Sequence, residues 1–485
     1  MSRKRLLIQS AFLSGGSIFV AMAAMLVVGK LVTTLPPMAV GLFVLLLLWS
    51  DFFNIASSFG LTVALPKLVA AAPEEEKARL THDVLGVQTV LLLVVALLVM
   101  AFYVALPLQA VLINKPDVAV FMEVLWLLPL LFIGGALRDM LMAMLAGLGR
   151  YAGRAGGIIV AALAQVLLIL VLVLVRQATL TSITLATAAS YALAAAWLYA
   201  LLPEKRVPRL SITQYRSAVA FSWPLHANSL LTFVYQRFDT MLVTAMLGIS
   251  AAAVYDMAKR IPALLSRVLG AFLVPFLPNV AELIAQEDRE RARHLLNRAL
   301  ILTSCLGYLV TLATVVVQEP LLLLLFNKDY LAAAPVLGLL LTATCLGVQA
   351  GIMGQTLIAL GRPKWVTVVN IFVAVLSIVL NLLLLPHWGL FGAGVAVLGA
   401  MIVSSGAQAW LVHREGLSLP VRDYLLLQGL MALCLALSTT DLIPPYARLT
   451  GLALFVVGVP FLSIVGWQEV RGVVAALVPT RRAQS

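Results

Sequence analysis

Six charged side chains stand in the interior of two consecutive apolar stretches of this chain, away from their ends: Arg237 and Asp239 in the first, Asp256, Lys259, Arg260 and Arg267 in the second. A charge inside lipid is costly, so such groups face a partner or a water-filled space and mark ligand or ion pathways. Four of the six are cations and two are anions, so pairing among them is incomplete. One reading is internal neutralisation. Asp256 and Arg260 can pair at i, i+4 on one helix face, and Asp239 can reach Lys259 across the turn near Gly248-Ile249-Ser250. The result would be a polar pin between two helices. The other reading is an anion-binding cavity, which the surplus of positive charge favours. Arginine suits phosphate or pyrophosphate because its planar fork donates two bonds at once.

Helical geometry places these groups. At 1.5 Å per residue, Arg237 and Arg260 each lie roughly 15–18 Å from the turn, at one depth about halfway through a bilayer. Asp256, Arg260 and Arg267 fall at i, i+4 and i+11, which is one helical stripe, with Arg267 deeper toward the cytoplasm. Arg138-Asp139 add charges in the cytoplasmic half of an earlier stretch, and Asp51 stands near the middle of another. The candidate binding set is Arg237, Lys259, Arg260, Arg267 and Arg138. Asp51, Asp239 and Asp256 are the carboxylates placed to take a proton or a sodium ion, the two candidate coupling ions.

The elements carrying these residues are membrane spans. Of 485 residues, 62% are hydrophobic and 11% charged, too few charges to cover a soluble protein of this size. Runs of about 20 apolar residues cross a bilayer, and they must be helical because lipid offers backbone groups no hydrogen bonds. Fourteen are predicted, at 7–32, 38–66, 84–106, 118–146, 155–175, 181–202, 217–246, 251–284, 297–317, 333–359, 365–385, 391–412, 423–439 and 449–469. The fold class is therefore an all-α polytopic membrane protein.

Orientation follows from Lys and Arg. Alternate connecting segments, counted from the N-terminus, hold 22 of the 33; the opposite set holds five, namely Lys30, Lys115, Arg176, Lys328 and Arg448. Positive loops stay in the cytoplasm, so both termini are expected there, in a cytoplasmic (inner) membrane. The net charge of +12 is then an orientation signal, and no loop is long enough for a nucleic-acid-binding domain. The first 25 residues have the basic start and apolar core of a signal peptide. The apolar run continues to Val32, however, so they read as an uncleaved first helix.

The second half repeats the first. Pro66 and Pro278, Glu75 and Glu287, Arg79 and Arg291, and His82 and His294 all stand 212 residues apart, as do Leu148-Gly149-Arg150 and Leu360-Gly361-Arg362. Duplicated helix bundles are the plan of secondary transporters, with the site between the halves. The expected divisions are a first lobe at 1–202 (spans 1–6), a cytoplasmic linker at 203–216, a second lobe at 217–412 (spans 7–12), and spans 13–14 with a tail at 413–485.

Other chemistries lack their residues. No G-x-x-x-x-G-K-[ST] occurs. Gly392-Ala393-Gly394 lies in an apolar run, where small residues serve close helix packing. Cys305, Cys345 and Cys434 lie inside spans without metal or disulfide spacing. The five histidines form no catalytic set, and His226 reads as a hydrated helix end.

At the charged helices the chain resembles a known family. "QRFDTMLVTAMLGISAAAVYDMAKRI" (236–261) and "LVPFLPNVAEL" (273–283) look like spans 7 and 8 of polysaccharide flippases. "LIALGRPK" (357–364) and "NLLLLPHWGLFGAGVAVLGA" (381–400) look like their spans 10 to 12. These flippases belong to the multidrug/oligosaccharidyl-lipid/polysaccharide (MOP) exporter superfamily. The resemblance implies flipping of an undecaprenyl-pyrophosphate-linked oligosaccharide to the outer leaflet by alternating access of two six-helix lobes. Membrane lipids, a polysaccharide polymerase and glycosyltransferases are the partners it implies. Spans 13 and 14 would lie outside the duplication, at the periphery, and offer a groove for the lipid tail.

Three other readings remain open. A peptidoglycan-precursor flippase also has fourteen spans and a cationic cavity, but the arginine-rich first helix of that group is absent here; helix 1 carries only Lys30 near its outer end. A multidrug/cation antiporter shares the lobes, with twelve spans and an acidic cavity expected. A membrane glycosyltransferase or polymerase needs a large outer loop, and the segments around 107–117 and 318–332 are short.

Overall fold

The computed structural model describes residues 3–105, 121–202, 210–273, 276–439 and 448–461, and every regular element among them is a helix. The outer segment 107–117 with Lys115, residues 203–209 of the linker, the end of span 14 and the tail at 470–485 lie outside the described residues. The chain forms two compact units. The first comprises residues 1–257 and 325–329, and the second comprises 258–324 and 330–485.

The first unit contains α1 (Arg3–Val32), α2 (Pro37–Ser58), α3 (Leu61–Ala71), α4 (Glu74–Ala105), α5 (Leu128–Gly147), α6 (Tyr151–Leu174), α7 (Leu180–Ala200), α8 (Ile212–Leu247) and the start of α9 (Ile249–Leu273). Proline at the first turn fixes the starts of α2 and α5. Thr179 and Ser182 close a capping box on α7. The hub is α5, which packs against α2, α3, α4, α6 and α7. It contributes the fully buried Leu131, Phe132, Met144 and Leu145 to two apolar clusters.

The predicted span 38–66 is not one helix. It breaks between α2 and α3 at Phe59 and Gly60, both left-handed at φ 47° and 77°. The break lets α8 approach. A Cβ on Gly60 would stand 2.7 Å from both the His226 nitrogen and the Ser222 carbonyl oxygen. Ser222 Oγ donates to the freed Phe59 carbonyl at 2.6 Å. His226 is therefore not a hydrated helix end: it is buried, with its ring against Phe59 and Trp223.

The second unit contains the rest of α9, then α10 (Phe276–Ala285), α11 (Arg289–Val316), most of α12 (Gln318–Leu325), α13 (Ala334–Ala359), α14 (Pro363–Arg414), α15 (Val421–Thr439) and α16 (Arg448–Phe461). The predicted span 251–284 carries two described helical segments, α9 and α10, on either side of residues 274–275, which lie outside the described residues. Conversely, α14 merges the predicted spans 365–385 and 391–412, which meet at the non-helical Gly389. Ten helices among the described residues are long and apolar enough to cross a membrane, α14 counting once. The charge-bearing α8 and α9 and the 14-residue α16 fall outside those ten, yet each of the fourteen predicted spans holds a helix.

Packing in the second unit is partly polar. Gln349 of α13, wholly buried, donates to Tyr308 Oη of α11 at 3.0 Å. Its carbonyl oxygen accepts from Tyr424 Oη at 2.7 Å and Gln428 Nε2 at 3.0 Å, both on α15. Tyr308 Oη donates in turn to Gln428 Oε1, which closes a ring of three. In lipid the hydrophobic effect does not drive helices together, so such bonds and close packing take its place.

The duplicated Leu-Gly-Arg turns have one geometry. Arg150 N donates to the Leu145 carbonyl at 2.8 Å, as Arg362 N does to Leu357 at 2.8 Å. Gly149 and Gly361 take φ of 69° and 76°, the left-handed residue that closes a helix in this way.

Candidate functional site

Helix α2 brings Asp51 toward α8, and α8 brings Arg237 to meet it. Arg237 Nη2 donates to Asp51 Oδ2 at 2.7 Å. A packed ring pair, Phe52 against Phe233 with centroids 5.6 Å apart, fixes the same two helices beside this bond. Phe233 and Arg237 are i, i+4, so they share one face of α8. Trp49, Phe53 and Phe132 extend the aromatic cluster.

A second ion pair lies on α5. Asp139 Oδ1 accepts from Arg138 Nε at 2.8 Å, with Arg138 Nη2 at 2.7 Å from the same oxygen. The other oxygen, Oδ2, accepts from Asn54 Nδ2 of α2 at 2.9 Å. The Arg138 guanidinium stands over the ring of Tyr191 of α7, with Cζ 4.3 Å from the ring centroid, a cation–π contact. Asp51 lies within electrostatic reach of Arg138 and Asp139 as well as Arg237. The first unit thus joins three of the predicted site residues, Asp51, Arg138 and Arg237, in one cluster with Asp139, Asn54 and Tyr191.

This cluster changes the charge count. Two arginines meet two aspartates, so it is neutral as a set. Each arginine still has hydrogen-bonding capacity in reserve. Arg237 uses one guanidinium nitrogen on Asp51, and Arg138 uses its Nε/Nη2 edge on Asp139. Arg138 is also within hydrogen-bonding reach of the Tyr191 side chain, and the Arg237 and Arg138 side chains are 37% and 21% exposed.

The other predicted residues lie nearer the α8–α9 turn and along α9. Asp239 Oδ2 accepts from Tyr255 Oη at 2.8 Å, and its Oδ1 from the Thr240 amide at 2.7 Å. Asp256, Lys259 and Arg260 are half-buried and Arg267 is exposed. Their spacing keeps Asp256, Arg260 and Arg267 on one face of α9.

Two members of the cluster, Asn54 and Tyr191, lie outside the sequence reading, and Asp139 enters it only beside Arg138, although adjacent opposite charges on a span are themselves a pairing signal. Asn54 and Tyr191 carry no such signal. The nearest clue is Gly134-Gly135, one turn before Arg138, where a Cβ would stand 3.2 Å from Tyr191 Cβ and 3.7 Å from Tyr191 Cδ2 respectively. The paired glycines open the notch that admits the ring.

Comparisons with known proteins bear on this architecture. The family described as "Polysaccharide biosynthesis protein" matches residues 6–284, and the MatE family matches 224–383. An "Uncharacterized membrane protein in cps region" of Klebsiella pneumoniae is 22% identical over 222 residues, 45% of this chain and 44% of the relative. The "Probable low-salt glycan biosynthesis flippase Agl15" of Haloferax volcanii is 22% identical over 186 residues, 38% of this chain and 39% of the relative. The chain thus spans less than half the length of either curated relative. Among solved structures, the chain is similar to "Lipid II flippase MurJ, inward closed conformation" at a TM-score of 0.68 and 13% identity, covering 94% of this chain and 98% of that one. It is similar to an inward-facing multidrug resistance MATE family transporter of the MOP superfamily at a TM-score of 0.65 and 16% identity, covering 82% and 94%. At these identities the likeness is one of fold.

Proposed function

The chain belongs to the polysaccharide biosynthesis protein family, and from that premise we propose that it flips a polyprenyl-pyrophosphate-linked oligosaccharide across the cytoplasmic membrane. It is an all-helical, multi-pass membrane protein with the fold of MOP-superfamily transporters. The observation that carries the proposal is the pair of arginines anchored by carboxylates inside apolar helices, each with donors to spare. A carboxylate on one side of a guanidinium fixes it in place. The remaining N–H groups suit the oxygens of a pyrophosphate.

The proposed cycle alternates access between lobes 1–202 and 217–412. Arg237 and Arg138 contribute from the cluster, and Lys259, Arg260 and Arg267 from α9. When the diphosphate takes Arg237, the Asp51 carboxylate loses its partner and is left to take a proton or sodium ion, which links substrate movement to ion movement. Both termini face the cytoplasm in this scheme, and glycosyltransferases and a polymerase act before and after it.

The test is reconstitution of the full chain in proteoliposomes with a fluorescent undecaprenyl-pyrophosphate saccharide. Flipping is read as protection from, or exposure to, a membrane-impermeant quencher. Flipping of the saccharide lipid is the expected result. Movement of a pyrophosphate-linked peptidoglycan precursor alone would reassign the substrate, and export of cationic drugs alone would overturn the anion site.

A further inference from the structure

The Arg138 guanidinium has two edges that can each hold a pair of oxygens. Asp139 occupies the Nε/Nη2 edge. Beyond Asp139, the further hydrogen-bonding contact of the guanidinium among the described residues is the Tyr191 side chain, which still leaves N–H groups of the Nη1/Nη2 edge for a ligand. The plane is set by Tyr191, whose ring covers one face at 4.3 Å. Tyr191 comes from α7, and it reaches this place because Gly134 and Gly135 leave α5 without side chains there. From the other side, Asn54 of α2 holds Asp139. Three helices thus converge on the direction in which one arginine points.

A flexible arginine loses side-chain entropy whenever it grips a ligand, and a stacked one has already lost it. We propose that Tyr191 is a positioning residue that holds Arg138 flat, with its Nη1/Nη2 edge presented to the non-bridging oxygens of a diphosphate, and that Asn54 serves the same end through Asp139. The proposal rests on the anion-site reading above and adds the residues that aim it. The ring face supplies the plane; the hydroxyl also reaches the guanidinium, and Tyr191→Phe separates the two.

The experiment measures binding of inorganic pyrophosphate to the purified full-length protein in nanodiscs by calorimetry. Wild type binds, and Tyr191→Leu binds roughly tenfold more weakly, the scale of a partly desolvated cation–π contact. Tyr191→Phe keeps the ring and restores the affinity. Tyr191→Met fills similar space without a π face, so it serves if the leucine variant fails to accumulate, and it shows the same loss. In an Arg138→Gln background, Tyr191→Leu has no further effect, because its action runs through the arginine; a merely structural role would add its own loss. Wild-type affinity in both Tyr191→Leu and Tyr191→Met, an undiminished loss in the Arg138→Gln background, or a wild-type protein that binds no pyrophosphate would each overturn the proposal. If pyrophosphate binding behaves as described but no saccharide lipid is flipped, the substrate assignment falls and the positioning role stands.

Discussion

Replacing Asp51 separates a binding site from a structural pin. The Asp51–Arg237 bond is 2.7 Å long, but the side chains are 47% and 37% exposed. Two unit charges at about 4 Å attract by about 1 kcal/mol in water and about 4 kcal/mol at an effective dielectric of 20. Pairs this open contribute about 0–1 kcal/mol net. Asp51→Asn should therefore leave folding nearly intact while releasing Arg237 to the ligand. About 1 kcal/mol transferred from the pair to the ligand is roughly a fivefold gain in pyrophosphate affinity, with slower release and lower turnover. Arg237→Gln removes charge-assisted bonds of about 1.5–3 kcal/mol, roughly a tenfold to hundredfold loss of affinity. The double variant Asp51→Asn/Arg237→Gln should bind as weakly as Arg237→Gln. The assays are calorimetry with pyrophosphate and export of the lipid-linked glycan normalised to protein in the membrane. Export at the wild-type rate by the double variant would show that the two charges only neutralise each other, and the reasoning fails.

Four further outcomes follow from the same structure. Arg260→Lys keeps the charge and loses the fork, so export should be partial, and Asp256→Asn should not rescue Arg260→Gln; normalised export measures both. Engineered cysteines at 260 and 267 should react with a water-soluble thiol reagent faster than one at the lipid-facing Leu97; equal rates would remove the α9 stripe from the pathway. Gly60→Val should cost about 2–4 kcal/mol, from left-handed strain plus the collision with Ser222 and His226, read as a lowered Tm of the purified protein. Gln349→Leu deletes three bonds worth about 0.6 kcal/mol each in a membrane, so its Tm should fall while pyrophosphate affinity stays at the wild-type value.

The spans were legible because lipid imposes a length and an apolarity that composition reveals directly. The Leu-Gly-Arg turns were legible because glycine at that position has a geometric reason. The breaks were not. Gly60 sits inside an unbroken apolar run, and only the approach of α8 from more than 160 residues away explains why the helix stops there. The site was half legible. Intramembrane charges announce themselves one by one, but their partners do not: Asp51 and Arg237 are 186 residues apart, and counting charges on spans 7 and 8 alone left Arg237 in surplus. Tyr191 was invisible, because a tyrosine in an apolar helix has the same appearance whether it packs on leucine or carries a guanidinium.

The ring of Tyr308, Gln349 and Gln428 has a consequence for biogenesis. Gln428 leaves the ribosome 79 residues after Gln349, and Tyr424 leaves it 75 residues after. At synthesis rates of 5–20 residues per second, the Gln349 amide waits roughly 4–16 s in the translocon or the bilayer before its α15 partners exist. Throughout that interval Tyr308 is the one member of the ring available to it. A chain stalled or cut before Tyr424 leaves a polar amide exposed in span 10, a flaw that membrane quality control can detect. The arrival of α15 removes it, so completion of the C-terminal hairpin is registered deep inside a helix made long before.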